Sequence, residues 1–539
     1  MKKIILFACS LAIFSQACNG VLDEEVVSSV TPEYYQTTTG FEDAVKASYE
    51  PLRTWYGTQR GFTLTVFGTD TYTKGADGDY KYVNDYTPNL NSQVDYIRDL
   101  WNDFYRAINT TNTVIDRAPS IPLDEALKAI RVGEARFLRA HYYFVLVQTY
   151  GPLHLALKET TEVQTTASRS PVKDVYDVIV SDLESAIAVL PVKPNDYGRA
   201  SKPAAEHLLA KVLLTRASIP EAAKPDDNQR TADLAKGVIA NYGLALLPNF
   251  AAVFDQGNQQ HSEVVWAVQY TQDLITNGTG NSGHLYFLME YDAGHKGTQR
   301  DIANGRPFKR FKPTLYTLDL FDRTKDSRYN GSFKQVFYAN NPATLAPGMK
   351  LGDTAIWVAP TNISAEFKAT KNYEIIDRAA VLTPGNYRYF PSLSKFLDPL
   401  RPSVQHEPGS RDFMVARLAE TYLIAAEALY KVGNIDEAVQ HINAVRRRAA
   451  MPGKELEMEI TADQLNMDFI LDERARELLG EMDRWFDLVR TGTLVERVKK
   501  YNPDGAPNIQ PFHVLRPIPN DQIDRTEGGV ASFPQNPGY

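Results

Sequence analysis

The sequence predicts a mainly α-helical fold: a repeat scaffold of about four helix pairs, with a long, irregular, loop-rich middle region and minor β structure. Three observations carry this expectation. The stretch from Arg411 to Arg490 reads RDFMVARLAETYLIAAEALYKVGNIDEAVQHINAVRRRAA and then, after a break, LDERARELLGEMDRWFDLVRTG. Within it Leu418, Tyr422, Ala426 and Leu429 fall at helical spacing and share one face. A run of capped helical periods fills 92–241. The segment 246–405 loses helical period and is rich in Gly and Pro.

The Arg411–Arg490 stretch begins as two amphipathic helices joined by a tight turn. Gly433-Asn434 breaks the first helix and suits a left-handed helix end. Ala438, Ile442 and Val445 restart an apolar stripe. The small Ala426, the aromatic Tyr430, the Gly-Asn turn and Ala438 look like a tetratricopeptide-type hairpin. Such a hairpin cannot bury its faces alone, so further pairs must stack on it.

The preceding elements follow in order. Residues 41–57 carry helix-like spacing with a break at Pro51. Residues 92–117 form a helix through Trp101, Tyr105 and Ile108, which gives Trp101 a packing role. Residues 125–150 form a long helix with Ala135, Leu138, Tyr142 and Val145 on one face, stopped by Gly151-Pro152. Ser170-Pro171 and Ser201-Lys202-Pro203 open helices over 171–190 and 202–217, and 228–241 gives another. In the middle region EVVWAVQY (263–270) alternates as a strand, with Trp266 in the core.

Composition excludes some functions. Of the 539 residues, 43% are hydrophobic and 23% charged, as in ordinary globular proteins. The net charge of −8 provides no basic field for nucleic acid. Aromatics reach 11%, with 29 Tyr and 24 Phe. That suits either a large helical core or a surface that packs sugar C–H faces on rings. No HExxH, GxSxG, GxxxxGK[ST] or CxxC occurs. No catalytic residue, cofactor or metal site is expected. Asp77-Gly78-Asp79 lacks most of an EF-hand loop, and Glu473, Glu477 and Glu481 are read as partners of nearby arginines. The run Arg446-Arg447-Arg448 is read as cations complementing a helix end. Asp301, Arg306, Arg310, Asp326 and Arg328 are read as an ion-pair network.

The N-terminus sets the expected compartment. Met1-Lys2-Lys3 precedes an apolar run, Ile4 to Phe14, too short to span a bilayer. Ser15-Gln16-Ala17-Cys18 resembles a bacterial lipoprotein signal with an atypical Gln16, which implies cleavage before Cys18 and lipidation of that residue. Cys9 lies in the leader, so no intramolecular disulfide can form in the mature chain. Several acyl chains on Cys18 provide a firm membrane anchor. The acidic Asp23-Glu24-Glu25 resembles a surface-export signal. The expected organisation is a signal peptide at 1–17, a lipidated tether at 18–40, an N-terminal helical region at 41–245, the middle region at 246–405 and a C-terminal helical region at 406–539, with 18–539 forming one compact unit.

From Gly57 to Leu90 helical pattern fails. The segment holds Asp70, Tyr72, Lys74, Asp77, Asp79, Tyr80, Tyr82 and Tyr86, dense aromatics where no core period requires them, and is read as a binding loop. A sugar site needs an aromatic platform beside planar polar groups that bridge hydroxyls. Asp70, Tyr72 and Lys74, with Tyr286 and Tyr291 from the middle region, are the candidate ligand contacts. His295, Arg300 and Trp357 are further candidates.

GEARFLRAHYYFVLVQTYG, RLAETYLIAAEALYKVGNIDEAVQHINAVRRRA, LDERARELLGEMDRWFDLVRTG and the ending QNPGY, in that order, resemble the SusD/RagB family of outer-membrane nutrient-binding lipoproteins, as does YDAGHKGTQRDIANGRPFKRFKPT at 291–314. The departures are Gln16 and the Gly480-Glu481-Met482-Asp483 run. The resemblance implies a non-enzymatic surface lipoprotein. It would capture a nutrient, most often an oligosaccharide, and close as a lid on a SusC-like TonB-dependent β-barrel transporter. Capture of peptides by the same architecture, and a surface glycoside hydrolase using a carboxylate pair, are the alternatives.

Overall fold

The computed structural model describes residues 34–539. The leader, Cys18 and most of the tether lie outside the described residues. The first helices are α1 (Thr38–Ala47), α2 (Gln59–Thr65), α3 (Asp95–Arg117), α4 (Glu125–Tyr150), α5 (Val172–Val189), α6 (Lys202–Arg216) and α7 (Asp227–Asn241). The closing helices are α8 (Leu418–Lys431), α9 (Ile435–Arg448), α10 (Met467–Glu477), α11 (Arg484–Arg490) and α12 (Leu494–Tyr501). The strands are short: β1 (Tyr72–Lys74), β2 (Val264–Val268), β3 (Phe311–Pro313), β4 (Phe333–Lys334), β5 (Val336–Tyr338), β6 (Thr354–Val358), β7 (Glu374–Ile376), β8 (Ser392–Leu393) and β9 (Phe413–Arg417).

Local chemistry sets the helix ends where the sequence placed them. Asp124 caps α4 by accepting from the Leu127 amide, and Gly151 stops it at φ 73°. Ser201 caps α6 in the same way, with Pro203 in the first turn. Gly433, at φ 86°, makes the left-handed turn between α8 and α9.

Successive helices then stack side by side: α3 on α4, α4 on α5, α5 on α6 and α6 on α7. The next partner of α7 is α8, which follows only after the whole middle region. Alanines allow this close contact. Ala210, Ala232, Ala235, Ala419, Ala426 and Ala438 are buried together with Leu423, Leu429, Ile442 and Val445. Each buried leucine of that set contributes on the order of 2 kcal/mol by leaving water. A second apolar cluster runs from Leu52 to Phe533 and joins the helical row to the middle region.

The strands act as stitches between distant segments. β2 pairs antiparallel with β9 at the mouth of the excursion. β1 pairs antiparallel with β3, β4 with β8, and β5–β6–β7 form a small mixed sheet. All of β2 is buried, Trp266 included. Two expectations change here. Residues 413–417, read as the start of a helix, form β9. The segment 57–90, read as one irregular loop, contains α2 and β1, both largely buried.

A buried ionic lattice binds these parts. Glu473 and Glu477 sit one turn apart on α10 and are wholly buried. Arg328, from the middle region, bonds Glu473 at 2.7 Å and Glu477 at 3.1 Å. Arg417, at the end of β9, bonds Glu477 at 2.6 Å, Glu481 at 2.6 Å and Glu263 at 3.1 Å. Arg448 on α9 bonds Glu263 at 2.6 Å and also meets Glu477. Arg446 reaches Glu473 at 2.6 Å. The acids of 473–481 do pair with arginines, but apart from Arg476 with Glu473 the partners are remote in sequence rather than the neighbours expected. The helix-end reading of Arg446-Arg447-Arg448 needs correction, because Arg446 and Arg448 are buried and bridge to other elements. The middle-region network also needs correction: Asp326 and Arg328 pair at 2.8 Å, but Arg306 pairs with Glu407 and Asp301 bonds Asn304 and Asn340.

Burial alone would raise the Glu477 pKa, but Arg448, Arg417 and Arg328 outweigh it and hold the group at about 2, below its ordinary 4.5. A depressed folded-state pKa confers stability that is present above the unfolded value and lost below it. The Glu477 contribution is thus complete above about pH 5 and disappears as pH falls from 4.5 towards 2. Replacing Glu477→Gln leaves buried arginines underpaired. Urea unfolding at pH 7 should show a loss of roughly 3–5 kcal/mol. The penalty should shrink as the pH approaches 2.

Candidate functional site

The β1–β3 ladder brings the N-terminal loop onto the middle region. Tyr72 lies opposite Pro313 and Lys74 opposite Phe311. The contact continues past the strands: the Gly75 amide donates to the Arg310 carbonyl at 2.8 Å and the Asp77 amide to the Lys309 carbonyl at 3.2 Å. A Cβ on Gly75 would lie 2.0 Å from the Lys309 carbonyl oxygen, so only glycine fits this approach. Lys309 itself is held at φ 45°, a left-handed conformation that a side-chain-bearing residue adopts at a cost.

Around this seam half-buried aromatic rings form a ledge. Tyr80 and Tyr96 stack at 3.7 Å and 16°, and Tyr82 lies 6.0 Å from Tyr80. The Tyr80 hydroxyl donates to Asp95 at 2.9 Å. Burial, then that bond, push the Tyr80 hydroxyl up to about 12, so it stays a neutral donor. Phe308 lies under the Arg306 and Arg310 guanidinium groups, at 5.2 and 5.1 Å. Tyr387 is flanked by Lys74 at 5.8 Å and Lys312 at 6.0 Å, and its hydroxyl donates to Asp504 at 3.2 Å. Tyr389 meets His295 edge-on at 5.3 Å.

Charged groups between the rings are fixed in place. Lys309 bridges Asp77 at 3.1 Å and Glu290 at 2.9 Å, and Arg388 joins Glu290 at 2.8 Å. Lysine and arginine partners outweigh burial and hold Glu290 below the usual carboxylate range. Lys74 bonds Asp85 at 2.7 Å. Among the described residues no group of three or more His, Cys, Asp or Glu side chains could hold a metal ion. Half-exposed rings beside anchored polar groups provide faces for stacking and donors and acceptors for hydroxyls.

The sequence candidates are placed unevenly around this ledge. Lys74 lies on it. Asp70 is fully buried and bonds Arg484 at 2.6 Å and Arg497 at 2.7 Å. Burial pushes its pKa up, but the two arginines hold it below the ordinary value. Tyr72 is fully buried, its ring edge-on to Phe287 at 5.1 Å. Tyr291 is buried, stacked on Phe337, and donates to the Gly305 carbonyl at 2.6 Å. Tyr286 is buried beneath Arg310 and Phe308. These four side chains thus lie beneath the surface of the loops rather than on it, and the Tyr72 hydroxyl is buried without a hydrogen-bond partner. His295 is buried against Glu374, and Arg300 pairs with Asp292; Trp357 sits half-buried in β6. Asp77 faces Lys309. Sequence reasoning missed Tyr96, Phe308, Tyr387 and Tyr389 as ledge residues. The tyrosine alternation in NYRYF (386–390) was the available signal.

Comparison with known proteins fits this architecture. The family model described as "SusD family" matches residues 233–539. The chain belongs to the SusD family. A second model, described as "Starch-binding associating with outer membrane", matches residues 30–214. SusD-like protein P25 of Formosa agariphila is 28% identical over 572 aligned residues, covering 99% of this chain and 98% of that protein. A SusD-like protein of Bacteroides ovatus is 26% identical over 50% of each chain. Among solved structures, a SusD homologue from Bacteroides thetaiotaomicron superposes with a TM-score of 0.72 at 21% identity, covering 95% of this chain and 99% of that one. A laminarin-binding SusD-like protein superposes with a TM-score of 0.66 at 22% identity, covering 94% and 100%. In this SusD-family chain, no helix among the described residues is long and apolar enough to cross a membrane.

The seam geometry has a direct test. Gly75→Ala drives a methyl group into the Lys309 carbonyl. It should lower stability by about 1–3 kcal/mol, the usual cost of overpacking, as read by thermal unfolding. An unchanged melting temperature would show that the seam is not as tight as described.

Proposed function

We propose that this SusD-family protein captures an oligosaccharide at the cell surface and passes it, as a lid, to a SusC-like TonB-dependent outer-membrane transporter, held to the membrane by lipid on Cys18. The observation that carries the binding step is the Tyr80–Tyr96 ledge with its anchored charges, a surface suited to sugar rings and hydroxyls. The starch-binding family description and the laminarin-binding neighbour support a glycan as the nutrient. Binding without catalysis is supported by the state of the α10 carboxylates. Glu473 and Glu477 are buried and neutralised by arginines, so they are withdrawn from substrate and held ionised, unsuited to proton donation.

Removing both Tyr80 and Tyr96 rings by alanine substitution should weaken oligosaccharide binding about tenfold, from roughly 0.5–1.5 kcal/mol per ring. Isothermal titration against oligosaccharide and peptide panels checks this. Tight binding of peptides alone would replace the glycan reading, and release of reducing ends from a bound glycan would overturn the non-enzymatic one. Cys18→Ser should move the chain from the membrane fraction to the soluble fraction after cell lysis. The unsubstituted chain should co-purify with a large β-barrel from detergent-solubilised outer membranes.

A further inference from the structure

The cations of the ledge are almost all accounted for. Lys74 pairs with Asp85 and Asp504, Lys309 with Asp77 and Glu290, Arg388 with Glu290, and Arg306 with Glu407. Lys312 donates to the Val381 and Asn386 carbonyls, and Lys81 to that of Ala76. Arg310 differs. Among the described residues its side chain has neither an ion-pair partner nor a hydrogen-bond acceptor. Its Nε is shielded from solvent and unsatisfied. The guanidinium lies 5.1 Å from the Phe308 ring centre and 5.9 Å from that of Tyr286. Gly78 leaves room beside it: a Cβ there would touch the Arg310 Cδ at 3.4 Å.

An unsatisfied, partly shielded guanidinium is costly to keep in a folded protein. A guanidinium fork placed over aromatic rings is also a ready-made seat for an oxyanion, which it meets through two parallel charge-assisted bonds. Neutral sugar hydroxyls would satisfy its donors but not its charge. An oxyanion on the terminal nitrogens satisfies both those donors and the charge.

We infer that the ligand of this ledge is an acidic oligosaccharide whose oxyanion, a uronate carboxylate or a sulfate ester, seats on Arg310 while neighbouring sugar rings pack on Phe308, Tyr96 and Tyr80. This rests on the glycan-binding reading above and narrows it to a substrate class. Asp79 follows Gly78 and is exposed, but makes no ion pair with Arg310.

The test is isothermal titration of the full chain with matched pairs: an oligogalacturonate and its methyl ester, a sulfated galacto-oligosaccharide and its desulfated form, and neutral malto- and laminari-oligosaccharides. The expected result is binding of an acidic member that falls about 10- to 100-fold when its charge is removed or in Arg310→Gln, the loss expected for bonds to a charged group. Arg310→Lys should recover part of the loss by restoring charge without the fork. Rising salt should weaken binding. The uronate and sulfate arms distinguish the two anion sources. Arg310→Gln should unfold at or above the wild-type temperature, which separates lost contact from lost fold. Binding confined to the neutral members overturns the acidic-ligand inference and leaves the glycan reading standing. Binding by no member of the panel removes both.

Discussion

The lattice of carboxylates and arginines around α10 is the constraint on which the rest of the structure depends. Glu473 and Glu477 face inward at helical spacing, and their partners come from the middle region, from β9 and from α9. Taking such charges out of water is expensive, and apolar side chains of similar volume can supply equal stability. What the ions add is geometry. Each arginine fork accepts only a few arrangements of oxygens, so Arg328, Arg417 and Arg448 fix three segments at once. Lys395 shows the tension: burial lowers its pKa to about 8 even with Glu481 at 2.7 Å.

A second ionic contact transmits this order to the ledge. Asp70 lies between Arg484 on α11 and Arg497 on α12. Its carbonyl also accepts from the Thr314 hydroxyl beside β3. The start of the N-terminal loop is thus tied to the C-terminal helices and to the middle region together. The residues that follow, Lys74 to Tyr82, inherit a fixed starting point. Preorganisation of this kind lowers the entropy lost when a ligand orders the loop.

The helical row was legible because its signals are local. The Gly151 stop and an apolar stripe placed α4 at 125–150, and the other long helices fell within a few residues, although of the two expected serine caps only Ser201 forms. The strand β9 was not legible as such. Residues 413–417 run into α8 without a breaking residue, and only β2, some 150 residues away in sequence, makes them a strand. The ledge was half legible. Tyrosine density pointed to the loop that carries Tyr80 and Tyr82, but in irregular backbone no period separates an inward Tyr72 from an outward Tyr80. Arg446 and Arg448 failed for the same reason, since the acids that claim them are remote in the chain.

The junction of α7 with α8 has a consequence for how the chain must be made. The face that α7 presents to α8 stays uncovered until the entire middle region has been synthesised. Contacts so distant in sequence form late, because the loop between them must first be closed. The alanine-rich surface of α6 and α7 is then a sticky edge on a half-built molecule, in an interval when neighbouring chains compete for it. Synthesis from the N-terminus makes the nascent protein, rather than the finished one, the species most in need of a chaperone.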